Sequence, residues 1–510
     1  MSVRMRQLAL MAACSAFMLL SPWNVAGAES DLEGIEDLFG KDWYGLYMLG
    51  QKFGYAVTEL GETELQGEKG YRLHVETHLA LAMFGTAQEL DSIETRIYGP
   101  DGGLRQLKFN MPQPMGEPME YLGEVVDDKF RLTRKVAGQD QVTLVDIPEE
   151  TLRDALEELA MINEDSKVGD SRVSHVYQPL MDDKKALEAK SVITAVEETL
   201  YNGVPTRVFL VETTILPVGI KAVSKITPDG DMLEQQFGGF TMRLETEELA
   251  KDSQYVADMT ISSAVLTAKP IPNPGSVNKM TVRVKGIKDE ALIIKDARQS
   301  YLLDVDENDE EEAAAGRASR PQESYLLTVR KDNLDDVRPT TIPMRPERFG
   351  SELKPSAFVQ SNDPKIVQQA KSIVGAETDA VKVMRMLNRW VYRNLDKQYT
   401  GAVSNALDTL ATKSGDCTEH SVLFVALARA VGLPAREVSG IVYSEEYGGF
   451  FFHQWAEVFV GKWVATDPTF EQPIADATHI KLSEGELLKQ VRVTSVIGRL
   501  KIEVLDFTHE

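Results

Sequence analysis

Cysteine is almost missing from this chain: 510 residues hold two, Cys14 and Cys417. That excludes a disulfide framework and any cysteine-rich zinc site, because each needs several thiols at set spacings. Positive charge is scarce as well. Fifty-five Lys and Arg stand against 79 Asp and Glu, a formal net charge of −24, which disfavours nucleic acid and anionic lipid as partners. No internal segment approaches the roughly 18 consecutive apolar residues that a membrane-spanning helix needs, so no transmembrane segment is expected. His74 and His78 lie four apart, but in an alternating strand-like stretch with no further ligands nearby. No metal and no cofactor are expected.

What is present at the start is a leader. Arg4 and Arg6 precede an apolar stretch from Leu8 to Leu20, followed by Ser21-Pro22 and the small residues Ala26-Gly27-Ala28. This predicts a signal peptide over 1–28, cut after Ala28, and a periplasmic or secreted location. The remaining chain then keeps one cysteine, Cys417, and size must supply the stability that disulfides would otherwise give.

About three further domains are expected from the length. Residues 29–250 read as a β-rich N-terminal domain. Trp43–Tyr47 with Phe53–Val57 predicts a hairpin, Tyr71–Leu79 alternates, and Thr206–Glu212 is a strand candidate. A helical interruption is expected over 148–162, where Leu152, Leu156 and Leu159 recur at helical spacing. Residues 255–345 read as a second β-rich module carrying Lys279–Val284 and Tyr325–Arg330, with a disordered loop over 304–321 that is too acidic and polar to bury a core. Asp304, Asp306 and Asn308 imitate a calcium loop, but Asp309 and Ala315 stand where glycine and glutamate are required. Residues 355–510 open with helices expected at 363–374 and 376–395 and close with a hairpin expected around Ile497-Gly498.

The chemistry concentrates in that last region. Cys417 sits in Lys413-Ser414-Gly415-Asp416-Cys417-Thr418-Glu419-His420, a polar turn opening the apolar run Val422–Ala428 that stops at Gly432-Leu433-Pro434. The pattern predicts a buried helix with Cys417 in its first turn, where the helix dipole favours a thiolate and is expected to lower the thiol pKa. Downstream, Phe450–Val460 predicts a strand, Gly461-Lys462 a turn, and Trp463–Asp467 a returning strand. Cys417, His453 and Asp467 thus offer a nucleophile, a base and an orienting carboxylate, the set that thiol acyl transfer uses.

Strand parity tests that set. With a two-residue turn at Gly461-Lys462, His453 and Asp467 would point to opposite faces. A three-residue turn or one bulge brings them together, and that register is the one expected. His420, near Cys417 on the helix, reads as a packing or hydrogen-bonding residue, and Glu457 as a support for the site or a surface charge. The Cys417 N–H is the natural oxyanion donor. Trp390, Tyr399 and Asn405 are candidates for a second.

At these residues the chain resembles the bacterial secreted branch of the transglutaminase-like superfamily. The matching blocks are Gly415–His420, Ala428–Arg436, His453–Val458 and Trp463–Thr469, with Gln454 standing where a small residue is expected. The resemblance implies an α+β fold, a papain-like transglutaminase core at the C-terminus behind β-rich modules. It assigns Cys417 as nucleophile, His453 as general base and Asp467 as the third member.

The resulting expectation is a cysteine enzyme acting on an amide through a thioester, with a protein or peptide as substrate. Water as acceptor gives a protease or amidase, which is favoured, and a lysine amine gives cross-linking. A different class of reading is a non-catalytic envelope binding or scaffold protein. The partner of the β modules has no signature in the sequence.

Overall fold

The computed structural model describes residue 32 and residues 35–509 apart from 84–85, 112–118, 137–138, 157–161, 163–164, 180–182, 202, 217–218, 238, 253–256, 259–263, 305–323, 336, 357, 399–404, 486–490 and 497. The expected leader with Cys14, nearly all of the acidic stretch 304–321, and Tyr399 lie outside the described residues. The described chain forms two compact units that divide between residues 259 and 260.

The first unit is an antiparallel meander of β1 (Gly40–Met48), β2 (Gln51–Leu65), β3 (Glu68–Met83), β4 (Thr86–Tyr98), β5 (Leu104–Met111), β6 (Met119–Val126), β7 (Lys129–Val136), β8 (Gln139–Val145), β9 (Ser171–Val176), β10 (Leu187–Tyr201), β11 (Val204–Leu216), β12 (Ile220–Ile226), β13 (Met232–Phe237) and β14 (Phe240–Glu245). Each strand pairs with its sequence neighbours, and the two runs β1–β8 and β9–β14 join where β1 meets β14. A short β15 (Ala257–Asp258) adds in parallel to β3. Local chemistry explains the hairpins. Leu49-Gly50 and Gln66-Gly67 form two-residue turns with both residues at positive φ, the twist-matched turn that glycine permits. The hairpin expected at Trp43–Val57 is formed, with Trp43 opposite Val57. The helical interruption is real but short, α1 (Leu152–Ala155), capped by Thr151.

A buried polar knot curls this sheet. Glu150, just after β8, accepts hydrogen bonds from Arg96 Nη1 (2.6 Å) and Tyr98 Oη (2.7 Å) of β4 and from the Tyr177 N–H (2.6 Å) beyond β9. Arg96 also pairs with Glu94 and donates to the Tyr177 carbonyl at 3.0 Å. Phe130 of β7 meets the Tyr177 ring edge-on. One guanidinium therefore serves two carboxylates in the dry interior, and segments from both ends of the sheet meet on β4. His74 and His78 point into local pairs with Thr95 and Asp91.

The second unit holds the strands expected over 255–345 together with the region expected to be catalytic. Its first sheet is β16 (Val265–Leu266), β22 (Ala435–Ser444), β23 (Gly449–Phe459), β24 (Trp463–Thr466) and β25 (Ile480–Glu484). Its second is β17 (Val277–Lys285), β18 (Gln299–Asp304), β19 (Ser324–Arg330) and β26 (Lys501–His509), in the order β18-β19-β17-β26. β20 (Asp396–Lys397) and β21 (Ser414–Gly415) make a small parallel pair. The tail differs from expectation. Residues Val491–Val496 form a 3-10 turn, and the last strand pairs with β17 instead of folding back as a hairpin. The long-range partner wins because β17, carrying buried Val277, Met280, Val282 and Val284, needs a second edge.

The longer helices described in the unit are α2 (Pro364–Val374), α3 (Ala380–Asn394), α4 (Ala406–Thr412) and α5 (Cys417–Ala430), capped by Asp363, Asp379, Asn405 and Asp416. α5 is buried from Cys417 to Arg429 and ends at Gly432, whose φ of 78° suits glycine. It packs on β23, β22 and the other three helices.

Replacing Arg96 by Met leaves Glu94 and Glu150 buried without their cation. The expected cost is about 3–5 kcal/mol, read as a lower denaturation midpoint of the first unit. Glu150→Gln, which can still accept from Tyr98 and Tyr177, is expected to cost less.

Candidate active site

Cys417 is the first residue of α5, directly after the Asp416 cap. The Asp416 carboxylate accepts the Thr418 N–H at 2.7 Å, and Glu419 reaches back to the Asp416 N–H at 2.8 Å. This reciprocal box requires glycine before it: a Cβ on Gly415 would overlap the Glu419 side chain. The thiol itself is buried.

β23 brings up the other half of the site. One edge pairs with β22 along its length; the other is taken by β16 at Phe450 and by β24 from Ala456 to Phe459. Between those contacts no described strand pairs with the second edge, and there the Gln454 N–H comes near the Cys417 thiol and favours its charged form. The residue beside it, His453, carries the imidazole.

The β23–β24 turn has three residues. Phe459 pairs with Trp463 and Ala456 with Thr466, leaving Val460-Gly461-Lys462 as the loop. In this register His453 and Asp467 share a face, and His453 Nε2 lies 2.7 Å from Asp467 Oδ2. Asp467 Oδ1 accepts the N–H groups of Thr469 (2.7 Å) and Phe470 (3.3 Å) from its own turn, and the Phe470 ring stacks on His453 at 4.8 Å. Asn388 of α3 pins the same turn through Thr466 Oγ1 and the Gln472 carbonyl.

Two residues that the sequence reading passed over complete the cluster. His479 Nε2 lies 3.1 Å from the same Asp467 Oδ2 that His453 uses, and His479 Nδ1 lies 3.3 Å from Asp476 Oδ1. Asp476 also takes the N–H and hydroxyl of Thr478 and the Gln472 amide. Asp476-Ala477-Thr478-His479 is a carboxylate turn delivering a histidine, and that local pattern was a usable signal. The ring nitrogens of His453 and His479 and a carboxylate oxygen of Asp467 lie within 4.8 Å of one another. His453 Nε2 and both ring nitrogens of His479 bond carboxylates within it.

The remaining sequence candidates have other duties. His420 Nδ1 bonds the Asp416 carbonyl at 2.6 Å, one helical turn back. Glu457 is neither at the imidazole nor on the surface; it is buried between Arg436 and Lys481. Asn405 caps α4, and the Trp390 ring lies under the Lys413 ammonium. Gln454 turns its amide to Glu437.

Electrostatics corrects one expectation. The Cys417 thiol is pushed well above its ordinary range, first by burial and then by the charge of Asp416, against the opposing Gln454 N–H. The helix dipole is outweighed because the thiol is dry and its cap is anionic. Burial raises Asp416 and Glu419 as well, and the Asp416 charge pushes Glu419 further up. Burial also works against the Asp467 charge, but His453 and His479 hold that carboxyl well below the usual range. Burial would lower His479, yet Asp476 and Asp467 raise it to about 9.

Since an ionised Asp467 only accepts, His453 Nε2 is the donor between them and Nδ1 is left for another partner. Nδ1 has no hydrogen-bond partner among the described residues.

Residues 367–468 match the family model of the transglutaminase-like superfamily, so the second unit carries a transglutaminase-like core. An uncharacterized protein of Haemophilus influenzae is 39% identical over 75 residues, 14% of this chain and 20% of its own length. One of Mycobacterium leprae is 27% identical over 138 residues, 26% of this chain and 49% of its own. The chain thus spans less than half the length of these curated relatives. Among solved structures, one described provisionally as a cysteine protease from Cytophaga hutchinsonii is 16% identical with a TM-score of 0.29, covering 46% of this chain and 86% of that one. A β-barrel-like protein of Brucella abortus is 12% identical with a TM-score of 0.29, covering 40% and 94%. A structure described as a TGase is 16% identical with a TM-score of 0.17, covering 34% and 50%.

The raised His479 has a pH consequence. Its stabilising contribution is complete below the ordinary imidazole value of 6.5 and is lost as pH rises through about 9. Denaturant titrations of wild type near pH 7 and about pH 10 should show that loss, and His479→Gln should show a smaller one.

Proposed function

We propose that this chain is an exported thiol-dependent amide hydrolase, a protease or amidase with Cys417 as nucleophile, His453 as general base and acid, and Asp467 holding the imidazole. One observation carries the reading: the Cys417 sulfur lies against the N–H of the residue next to His453, while His453 is tied through Nε2 to an ionised Asp467 and keeps Nδ1 open. The core match over 367–468 contains all three residues. The papain-like character of the core and the periplasmic or secreted location belong to the same proposal.

The steps follow from these protonation states. Because the buried thiol rests protonated, attack and proton removal go together: the sulfur bonds to the amide carbonyl carbon as its proton passes to His453 Nδ1. The Cys417 N–H is the donor placed for the developing oxyanion, since the cap side chains take those of Asp416, Thr418 and Glu419 instead. The imidazolium then protonates the leaving amine, the C–N bond breaks and a thioester remains. Water adds next, giving its proton to Nδ1 as the C–O bond forms; the C–S bond breaks and the proton returns to sulfur. Water is the default acceptor because it needs no binding site of its own, whereas transfer requires a second site for an amine.

Cys417→Ala and His453→Ala are each expected to lower turnover by about 10³-fold or more. The direct test is mass spectrometry of envelope proteins exposed to wild type or Cys417→Ala. New termini or deamidated glutamines that depend on Cys417 support hydrolysis. Cys417-dependent isopeptides would replace it with cross-linking, and identical products from both proteins would end the enzyme reading.

A further inference from the structure

His479 and Asp476 lie beyond the segment 367–468 that matches the family core, and the chemistry above uses neither. Their placement is nonetheless specific. Asp467 Oδ2 is shared by two imidazoles, His453 at 2.7 Å and His479 at 3.1 Å, and His479 spends its second nitrogen on Asp476 at 3.3 Å. All four side chains are buried, and the His479 ring is fixed by edge contacts with Trp455 and Phe470.

We propose that His479 and Asp476 are positioning residues that extend the His453–Asp467 pair to a four-membered array, in which a His479 cation locks the Asp467 carboxylate and moderates its hold on a proton at His453. The proposal rests on the functional reading above.

Hydrogen-bond inventory gives the protonation. Both carboxylates are acceptors only, so a histidine that bonds one through each nitrogen donates twice and is an imidazolium. The groups facing His479 are Asp467 and Asp476 from the loop after β24, the His453 ring from β23, and the uncharged Trp455 and Phe470 rings. Arg298 meets that loop at the Ala475 and Asp476 carbonyls and leaves both carboxylates to the histidine. Lys481, two residues on, is occupied by Glu457, Asp296 and Glu484. Burial of His479 from water is what makes the charge felt at Asp467.

The arrangement has a kinetic consequence. A bare Asp467 would hold the His453 imidazolium strongly and slow delivery of its proton to the leaving amine. A carboxylate already paired with His479 still fixes the His453 ring yet releases the proton more readily. Removing the cation should therefore move the acidic limb of thiol reactivity to higher pH.

The test uses the full chain in two measurements. Histidine-selective 15N NMR near pH 7.5 should show both His479 ring nitrogens protonated, the signal being assigned by its loss in His479→Gln. Iodoacetamide alkylation of Cys417 followed against pH should show the acidic-limb midpoint rising by about one unit in His479→Gln and in Asp476→Asn. The double variant should shift no further than either single one, as members of one array do. A neutral His479 overturns the proposal, as does a folded His479→Gln whose profile superimposes on wild type. If His479→Gln does not fold, the NMR result and the Asp476→Asn profile decide it. His453→Ala, run alongside, keeps the two readings apart. Loss of the limb there with no effect at His479 removes only the array, whereas no effect of His453→Ala removes the general-base reading itself.

Discussion

A strand has a side-chain period of two, so a hairpin either unites two residues on one face or separates them, with nothing between. The site depends on that rule at one place. Val460-Gly461-Lys462 is a three-residue turn, Phe459 therefore opposes Trp463, and His453 and Asp467 fall on one side of the sheet. Gly461 takes φ of 114° beside the Val337–Thr340 segment, where a side chain would collide with Val337 and Arg338. One conformationally free residue thus sets the parity on which the imidazole–carboxylate pair stands. Elsewhere in the unit the backbone serves to hold that pair still.

The holding comes from the β17–β19 sheet as much as from the helices. Gln299 pairs its amide with the backbone of Lys481 in both directions, Arg298 donates to the Ala475 and Asp476 carbonyls, and Asp332 takes the Ala465 N–H. These contacts bracket the loop that runs from Asp467 to His479. Asn388 supports it from α3. A sheet that looks in sequence like a separate module is in fact a wall of the site, because its polar side chains replace the strand partners which that loop lacks.

How much of this was legible depended on range. Cys417, His453 and Asp467 could be singled out as candidates because each sits in a local signature: a glycine-bounded cap before an apolar helix, an aromatic strand, and Asp-Pro closing the return strand. The hairpin register could be read as well, since parity is arithmetic. Burial could not. The helix dipole is visible in sequence and the dryness around the thiol is not, so the expected direction of the Cys417 pKa was reversed. His479 was passed over for a related reason: it lies twelve residues from Asp467, on a segment whose return to the site is fixed by Arg298 and Gln299 nearly 180 residues earlier. The C-terminal strand failed in the same way, its partner β17 being more than 200 residues upstream.

That last strand has a consequence for time as well as for shape. β17 has an apolar face and one edge that is paired only when residues 501–509 reach it. Contacts of such wide separation are the slow ones to form, and an open strand edge is what chaperones and stray partners recognise in the interval. The sheet that carries Arg298 and Gln299 is therefore finished after every residue of the thiol site has been made. Closing that sheet is thereby tied to a slow class of contact, one that joins segments more than 200 residues apart.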